Sequence, residues 1–285
     1  MKALVALAVL SLTLTGCAPV AEPTGSPSQS VSPSESATPS PSPTETPIET
    51  ASIEVFFVTD TPKGLRLASE TREYAKGDQP LETQVLSDLI SGAVQPADHD
   101  YSNLWDSSNA LNSVTVSGSR ARIDLKLGKL NVGAEAEARA IDQLVYTLTS
   151  LNPKVRRVSI VVNGKVVESL AGHVDTTHSF SRRDEINVLM SVQISSVLDG
   201  GEVESPVTVT GAACTYEAQV AWALRSAGKV IQRGTTRAKT ACPNRSAWSI
   251  ELGALDPGTY TLGVSDFSAK DGSLVSRDNK TFTVK

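Results

Sequence analysis

The spacing of apolar residues changes several times between residues 53 and 170, and it distinguishes two kinds of element. Runs of branched and aromatic residues between turn residues predict strands at Ile53 to Val58, Leu65 to Tyr74, Val114 to Val116, Ala121 to Leu125 and Val155 to Val162. Apolar residues three and four positions apart instead predict helices at Leu81 to Ile90 and Gly133 to Leu151. Strands and helices interleaved in this order predict a two-layer α+β domain, with both helices on one face of a sheet.

The helical spacing ends at Ile186, after which apolar and polar residues alternate. Short runs of this kind are Val192 to Val197, Val207 to Val209, Val220 to Leu224, Val230 to Gln232, Trp248 to Leu252, Tyr260 to Val264 and Thr281 to Val284. Short alternating strands separated by turn residues are typical of an immunoglobulin-like sandwich. We therefore predict an α+β domain at 52–171, a polar linker at 172–185 and an all-β immunoglobulin-like domain at 186–285.

Both predicted domains also resemble known families. The hairpin V-T-V-S-G-S-R-A-R-I-D-L at 114–125 and the stretch from Ile141 to Lys165 resemble the GerMN (sporulation and spore germination) domain. The segments 205–213, 216–224 and 257–262 resemble the immunoglobulin-like domain of bacterial spore germination. The resemblances imply a βαββαβ-like fold related to protein-assembly modules, followed by a sandwich, and no known enzymatic activity. The Gly-rich loops usual in the second family are only loosely present, so no loop-borne binding site is carried over.

The first 16 residues have the order of an export signal, with Lys2 before an apolar run from Ala3 to Leu12. That run is too short to span a bilayer as a helix, which needs roughly 20 residues. Leu14-Thr15-Gly16-Cys17 resembles the bacterial lipobox, in which the Cys is acylated and becomes the new N-terminus. We predict a signal peptide at 1–16 and a palmitate-type lipid anchor on Cys17, at the extracytoplasmic face of the cell membrane. The alternative is an ordinary secretory signal with a chance Cys.

Residues 17–51 follow the predicted cleavage site and lack the composition of a folded segment. From Glu22 to Thr50 the chain is almost entirely Pro, Ser and Thr with scattered Glu, and it contains no Lys or Arg. Such a segment cannot bury enough apolar surface to offset its ordering entropy. We predict a disordered stalk between the membrane and the first domain.

Charge and composition limit the partners. The formal net charge is −5 and aromatic residues make up 5% of the chain, so neither phosphate neutralisation nor base stacking favours a nucleic-acid partner. The expected partners are the membrane, through the lipid anchor, and an envelope protein, with contact to the cell wall as a further candidate. No cofactor is predicted.

The other two cysteines, Cys214 and Cys242, lie in a domain that we expect to be exported. Exported proteins favour disulfides, so we predict that these two residues are bonded to each other. Two free thiols remain the alternative.

One motif carries residues that bind metals elsewhere. His173, Asp175 and His178 form H-x-D-x-x-H, but this spacing matches no established metal motif and lies in the predicted linker. We therefore predict no metal site and no metal ligand.

Other polar and aromatic candidates have structural interpretations. Asp98, His99, Asp100 and Asp106 are expected in a solvated surface loop. The tryptophans are expected to be core or interface anchors: Trp105, Trp222 and Trp248. Neither G-x-S-x-G nor a phosphate-binding glycine loop occurs, so we predict no catalytic residue and a protein that is not an enzyme.

These predictions favour a lipid-anchored scaffold or protein-interaction module, acting in envelope or sporulation and germination-type complexes. The alternative is a carbohydrate- or peptidoglycan-binding cell-wall module, which would need exposed coplanar aromatic side chains on one sheet face. A hydrolase would need a pocket with at least two titratable side chains. Nothing in the sequence supports that third class.

Overall fold

The computed structural model describes residues 49–285, so the predicted signal peptide, Cys17 and nearly all of the predicted stalk lie outside the described residues. The first domain contains β1 (Thr50–Thr61), β2 (Gly64–Ala75), α1 (Leu81–Ile90), β3 (Tyr101–Ser102), β4 (Ala110–Ser117), β5 (Arg120–Lys126), α2 (Ala134–Leu151) and β6 (Arg157–Val162). Each predicted strand and helix of this region is present, and the mixed α and β class is confirmed.

The strands of the first domain form two three-stranded sheets, in the orders β2-β1-β3 and β4-β5-β6. β1 and β2 are a long antiparallel hairpin whose turn contains Gly64 at φ +92°, a value that L side chains rarely adopt. β5 and β6 are parallel, and α2 connects them as a crossover helix. The alternation within a strand is the same whichever sheet the strand joins, so the sequence pattern did not show this division.

One apolar core lies beneath both sheets and both helices. The β-sheet residues Val55, Phe57 and Ile123 are fully buried there with Leu89 of α1 and Leu144 of α2. α2 buries polar as well as apolar positions along its length, because it has neighbours on more than one side. Burial of a large aliphatic or aromatic side chain contributes about 1.5–3 kcal/mol, so this core supplies the main stabilisation of the domain.

The second domain begins with a short helix, α3 (Glu185–Val188), and is otherwise built from strands. The strands are β7 (Val192–Ile194), β8 (Gly201–Val203), β9 (Val207–Ala213), β10 (Gln219–Ser226), β11 (Lys229–Arg237), β12 (Ser246–Gly253), β13 (Gly258–Phe267) and β14 (Leu274–Val284). They form a five-stranded sheet, β11-β10-β13-β14-β8, and a three-stranded sheet, β12-β9-β7. The predicted all-β second domain is confirmed, and β8 is a strand that the pattern missed.

The core of the second domain follows the predicted alternation. Val220 and Leu224 of β10, Leu262 of β13 and Phe282 of β14 point into a buried cluster that Trp248 closes from the other sheet. A Cβ atom at Gly211 would lie 2.3 Å from Cζ2 of Trp248, so only glycine allows the indole to pack this closely.

Within residues 49–285, none of the helices combines the length and apolar character that a membrane span needs.

Candidate functional site

The segment between the domains is packed against the first domain. Val188 and Leu189 are buried beside Phe56 and Tyr146. The backbone N–H of Met190 donates to the carbonyl oxygen of Leu67 at 2.9 Å, which extends the pairing at the edge of β2. The second domain therefore begins on the first domain's own sheet edge.

The predicted linker, residues 172–185, also has fixed contacts. Phe180 exchanges backbone hydrogen bonds of 2.8 Å with Val158 of β6, and Thr176 is buried. The guanidinium of Arg182 lies 4.0 Å from the centre of the Tyr146 ring, within the range of a cation–π contact. The segment connects the two domains in sequence, but its contacts are with α2 and β6.

Above this connection one polar side chain joins the two domains, and a second one holds the connecting segment. The buried amide of Gln193 in β7 bonds to both the N–H and the carbonyl oxygen of Ser69 in β2. Arg245 donates from Nη1 to the carbonyl oxygen of Met190 at 2.5 Å. A side-chain amide that satisfies both backbone groups of a β2 residue substitutes for a neighbouring strand, so β2 is not left with an open edge here.

The centre of the junction is a buried cluster of charged and polar side chains. Lys280 of β14 forms ion pairs with Asp98 of the first domain and with Asp278, whose Oδ1 is 3.4 Å from the Lys280 Nζ. Tyr101 donates its hydroxyl proton to Asp278 at 3.0 Å. The backbone N–H of Ile194 donates to the other Asp278 oxygen at 2.7 Å. We call the residues Asp98, Tyr101, Asp278 and Lys280 the junction cluster.

Burial dominates the electrostatics of the junction cluster. Desolvation raises the pKa of Asp278 to about 6, although Lys280 and the hydrogen bonds oppose the shift. It also raises the pKa of Asp98, and it raises that of the Tyr101 hydroxyl well above its usual value, with the Asp278 charge adding to the effect. Burial lowers the pKa of Lys280, but the two carboxylates outweigh it, so the pKa is raised.

The prediction of a solvated Asp98 loop is therefore wrong for Asp98 itself, which is 3% exposed. Its backbone N–H donates to Glu70 at 2.9 Å and its carboxylate pairs with Lys280. A carboxylate in a loop has the same local sequence pattern whether water or a distant lysine surrounds it. Beside it, the largely exposed ring of His99 lies 2.6 Å from Asp199, and Asp106 lies in an exposed turn where it accepts from Ser108.

A groove lies on the outer face of the five-stranded sheet and has a volume of about 640 Å³. Its floor is formed by small residues on the two central strands, Ala221, Ala223 and Gly263. Its rim carries one arginine from each of three strands: Arg225 of β10, Arg233 of β11 and Arg277 of β14. We call this feature the arginine groove.

The three rim arginines form no ion pair within residues 49–285. Among the described residues, none of them has a carboxylate within 4.0 Å. Arg277 donates from Nε to the hydroxyl of Ser265 at 3.0 Å, and its Nη atoms have no acceptor in the part of the chain that the structure describes. Guanidinium groups bind carboxylate or phosphate oxygens in pairs of hydrogen bonds, so the groove can hold an anionic ligand.

The other residues singled out by the sequence have structural positions. Cys214 and Cys242 form the predicted disulfide, with Cα atoms 4.7 Å apart. His178 lies 2.9 Å from Asp175, and both side chains are exposed. No three His, Cys, Asp or Glu side chains between residues 49 and 285 are grouped as metal ligands. Cys17, the predicted lipidation site, is outside the described range.

The tryptophans are placed largely as predicted. Trp105 is 1% exposed and donates from Nε1 to the carbonyl oxygen of Ala140 at 3.2 Å, although it lies in a loop. Trp248 is buried in the sandwich. Trp222 is half-buried and packs beside Gly234, where a Cβ atom would lie 3.0 Å from its ring. None of the three tryptophans is therefore fully exposed on a sheet face.

The junction cluster and the arginine groove were not identified from the sequence. One signal was available: Asp278 and Lys280 share the inward face of β14 with Phe282 and Val284, where charged residues are uncommon. Likewise, Ala221, Ala223 and Arg225 occupy every second position of β10 and lie on its outward face. Neither pattern shows which residues of other elements lie opposite.

Comparison with known proteins agrees with this architecture. Residues 54–168 match the family model described as "Sporulation and spore germination", and residues 191–273 match "Immunoglobulin-like domain of bacterial spore germination". Among curated proteins, none matches the chain significantly.

Solved structures with detectable similarity include two of the sporulation protein GerM from Bacillus subtilis. Its tandem GerMN domains are 19% identical, with a TM-score of 0.38 and coverage of 50% of this chain and 50% of that one. Its first GerMN domain is 18% identical, with a TM-score of 0.39 and coverage of 47% and 99%. The chain thus spans about half the length of the tandem-domain protein. From the two family matches, this chain carries a GerMN (sporulation and spore germination) domain followed by an immunoglobulin-like domain of bacterial spore germination.

Proposed function

We propose that the protein is a lipoprotein held on the extracytoplasmic face of the cell membrane through acyl groups on Cys17. In this proposal its two domains act together as a non-enzymatic binding module for an envelope protein, in envelope or sporulation and germination-type complexes. The lipobox-like Leu14 to Cys17 supports the anchor. The two family matches support the class of module.

The observation that carries the proposal is the buried connection between the domains. Lys280 and Asp278 of the second domain are shielded from water by contact with Asp98 and Tyr101 of the first. A charge cluster of this kind is stable only in one geometry, because any separation exposes unpaired buried charges. The two domains therefore offer a partner one continuous surface with fixed geometry, which is what a scaffold requires.

The perturbed titratable groups of the junction cluster support a structural assignment for it. The pKa values of Asp278 and Tyr101 are raised. The Tyr101 hydroxyl donates to Asp278 and accepts a hydrogen bond from the Lys280 ammonium group. A catalytic acid or base needs to reach a substrate atom within hydrogen-bond distance. These groups instead form hydrogen bonds with one another.

The anchor can be tested by comparing the natural protein with a Cys17→Ser variant. We expect the wild-type chain in the membrane fraction and the variant released, with mass spectrometry showing cleavage before Cys17 and fatty acyl groups on it. An unmodified Cys17, or the leader still attached to the mature chain, would contradict the anchor.

The scaffold proposal needs a second experiment on the membrane-bound protein. Gentle crosslinking in intact cells, followed by purification of the full chain, should recover a discrete envelope protein. The Cys17→Ser variant should recover much less, since it is no longer held beside its partner. Recovery of cell-wall glycan without any protein would favour the carbohydrate-binding alternative and contradict the scaffold.

A further inference from the structure

The depth of the arginine groove is set by residues that lack large side chains. At Gly263 the floor has no side chain of its own, and the side chains of Asn279 and Arg225 lean over it, since an added Cβ atom would lie 2.7 Å from Oδ1 of Asn279 and 3.6 Å from Nη1 of Arg225. Ala221 and Ala223 continue the floor on the neighbouring strand. A ligand can therefore lie close to the sheet backbone, with side chains of the rim on both sides.

The charge of the groove is opposite to that of the whole protein. The chain has a net charge of −5, yet this floor is surrounded by three arginines that have no acidic partner among the described residues. Each is held on a strand rather than on a loop, which limits the entropy that it loses on binding. Charge complementarity therefore selects an anionic ligand.

The spacing of the arginines selects a ligand with several anionic groups. From the strand pairings, Arg225 and Arg233 have backbones about 8 Å apart, and Arg277 is about 16 Å from both, using strand separations near 4.8 Å and about 3.4 Å per residue. Three guanidinium groups offer more paired hydrogen bonds than the two oxygens of one carboxylate can accept, so a ligand with several anionic groups uses the site more fully. Alternate residues of an extended peptide are about 7 Å apart, so carboxylates on such a peptide can reach successive arginines.

The aromatic residues favour a peptide over a glycan. Trp105 and Trp248 are buried, and Trp222 is half-buried and packed on Gly234, so the most exposed aromatic residue lining the groove is Phe267. Phe267 is 46% exposed at the rim and can contact one apolar side chain. The hydroxyl of Thr235, which is exposed at the same face, can bond to a peptide backbone.

From these observations we infer that the arginine groove is the docking site for an acidic, extended segment of the partner protein. The inference rests on the proposed function only in taking the partner to be a protein. The carboxylates of the segment pair with Arg225, Arg233 and Arg277, and its backbone lies over the small-residue floor.

The test is direct binding of a defined peptide to the full chain. The probe is an eight-residue peptide of alternating Glu and Ser with blocked ends, labelled for fluorescence anisotropy, and the matched probe replaces each Glu by Gln. We expect saturable binding of the Glu peptide, weakened as salt is raised, and at least tenfold weaker binding of the Gln peptide. Absence of saturable binding by the Glu peptide would overturn the inference.

Two kinds of variant distinguish binding in the arginine groove from non-specific electrostatic attraction to the protein. Replacing all three rim arginines by Gln should weaken binding at least tenfold, and Ala223→Leu, which fills the floor without a charge change, should weaken it at least fivefold. The control carries the same charge change at exposed positions of the first domain: Arg120→Gln, Arg156→Gln and Arg157→Gln. It should stay within twofold of wild type.

Three results would overturn the assignment. They are equal losses in the groove and control triples, unchanged binding by Ala223→Leu, and tighter binding of a glycerol-phosphate oligomer of equal charge than of the Glu peptide. Near-ultraviolet circular dichroism of each variant checks that the fold is retained. Because the assay is done in solution, its failure leaves the membrane anchor untouched, and a failed anchor test leaves this assay valid.

Discussion

Lys280→Met tests the central claim that the junction cluster holds the two domains together. The Lys280 side chain is 4% exposed, and those of Asp98 and Asp278 are 2% and 0% exposed. Methionine keeps most of the length and volume of lysine but removes the only cation paired with these two carboxylates among the described residues. Removing one partner of a buried ion pair costs about 3–5 kcal/mol, because a buried charge is left without compensation.

An exposed ion pair in the second domain provides the control. Lys285 pairs with Glu202 at 2.6 Å, but the two side chains are 62% and 59% exposed. Exposed pairs contribute about 0–1 kcal/mol, so Lys285→Met should leave the free energy of unfolding nearly unchanged. Both variants replace lysine by methionine, and they differ in whether the ion pair that is lost is buried or exposed.

The assay is denaturant unfolding of the full chain at pH 7, followed by tryptophan fluorescence and near-ultraviolet circular dichroism. We expect Lys280→Met to lower the free energy of unfolding by about 3–5 kcal/mol and to separate the transitions of the two domains. Adding Asp98→Asn and Asp278→Asn to it should recover most of the loss, since no unpaired charge remains. A loss below about 1 kcal/mol, equal to that of Lys285→Met, would refute the reasoning.

Three further predictions follow from single buried contacts. The Asp278→Asn variant should lose a pH dependence: because burial raises the folded pKa of Asp278 to about 6, above an unfolded value near 3.9, the folded state binds the extra proton. The contribution of Asp278 to the free energy of unfolding therefore decreases as pH rises from about 4 to about 6. In denaturant titrations, the free energy of unfolding of the wild type minus that of Asp278→Asn should decrease across that window. A difference that stays constant with pH would contradict the assignment. Glu137→Gln should lower the free energy of unfolding by about 1–3 kcal/mol, because the buried carboxylate accepts hydrogen bonds from four backbone N–H groups of the loop at 170–174 and an amide offers only one oxygen. The accompanying measurement is hydrogen exchange, which should become faster in that loop. Unchanged exchange there would count against the prediction. Replacing Cys214 and Cys242 by Ala should cost roughly 3–4 kcal/mol for their separation of 28 residues, measured by thermal unfolding, and a Tm unchanged by the double substitution would contradict it.

Local patterns in the sequence were sufficient for most elements. Helix α1 has the predicted bounds, Leu81–Ile90, because its apolar spacing and the Gly92 that follows are both local features. The hairpin around Gly118 and the alternating strands of the second domain were predictable for the same reason. The disulfide followed from the number of cysteines left in a domain that the sequence predicts to be exported.

Glu137 shows where local patterns stop being informative. From the sequence it is an acidic residue in the first turn of a helix, where it interacts favourably with the helix dipole. In the structure it is 0% exposed and organises a loop more than 30 residues away. Nothing near Glu137 in the sequence distinguishes these two situations.

The sequence alone determined the order of most elements and the two domain classes, and it predicted the cysteine pair, because each depends on neighbours within a few residues or on composition. The tertiary structure decided which charges became partners. Asp98 and Lys280 are 182 positions apart, and the three groove arginines come from three different strands. Their environments are set by how distant elements pack, since burial and pairing, rather than residue type, determine what a charged side chain does in a folded protein.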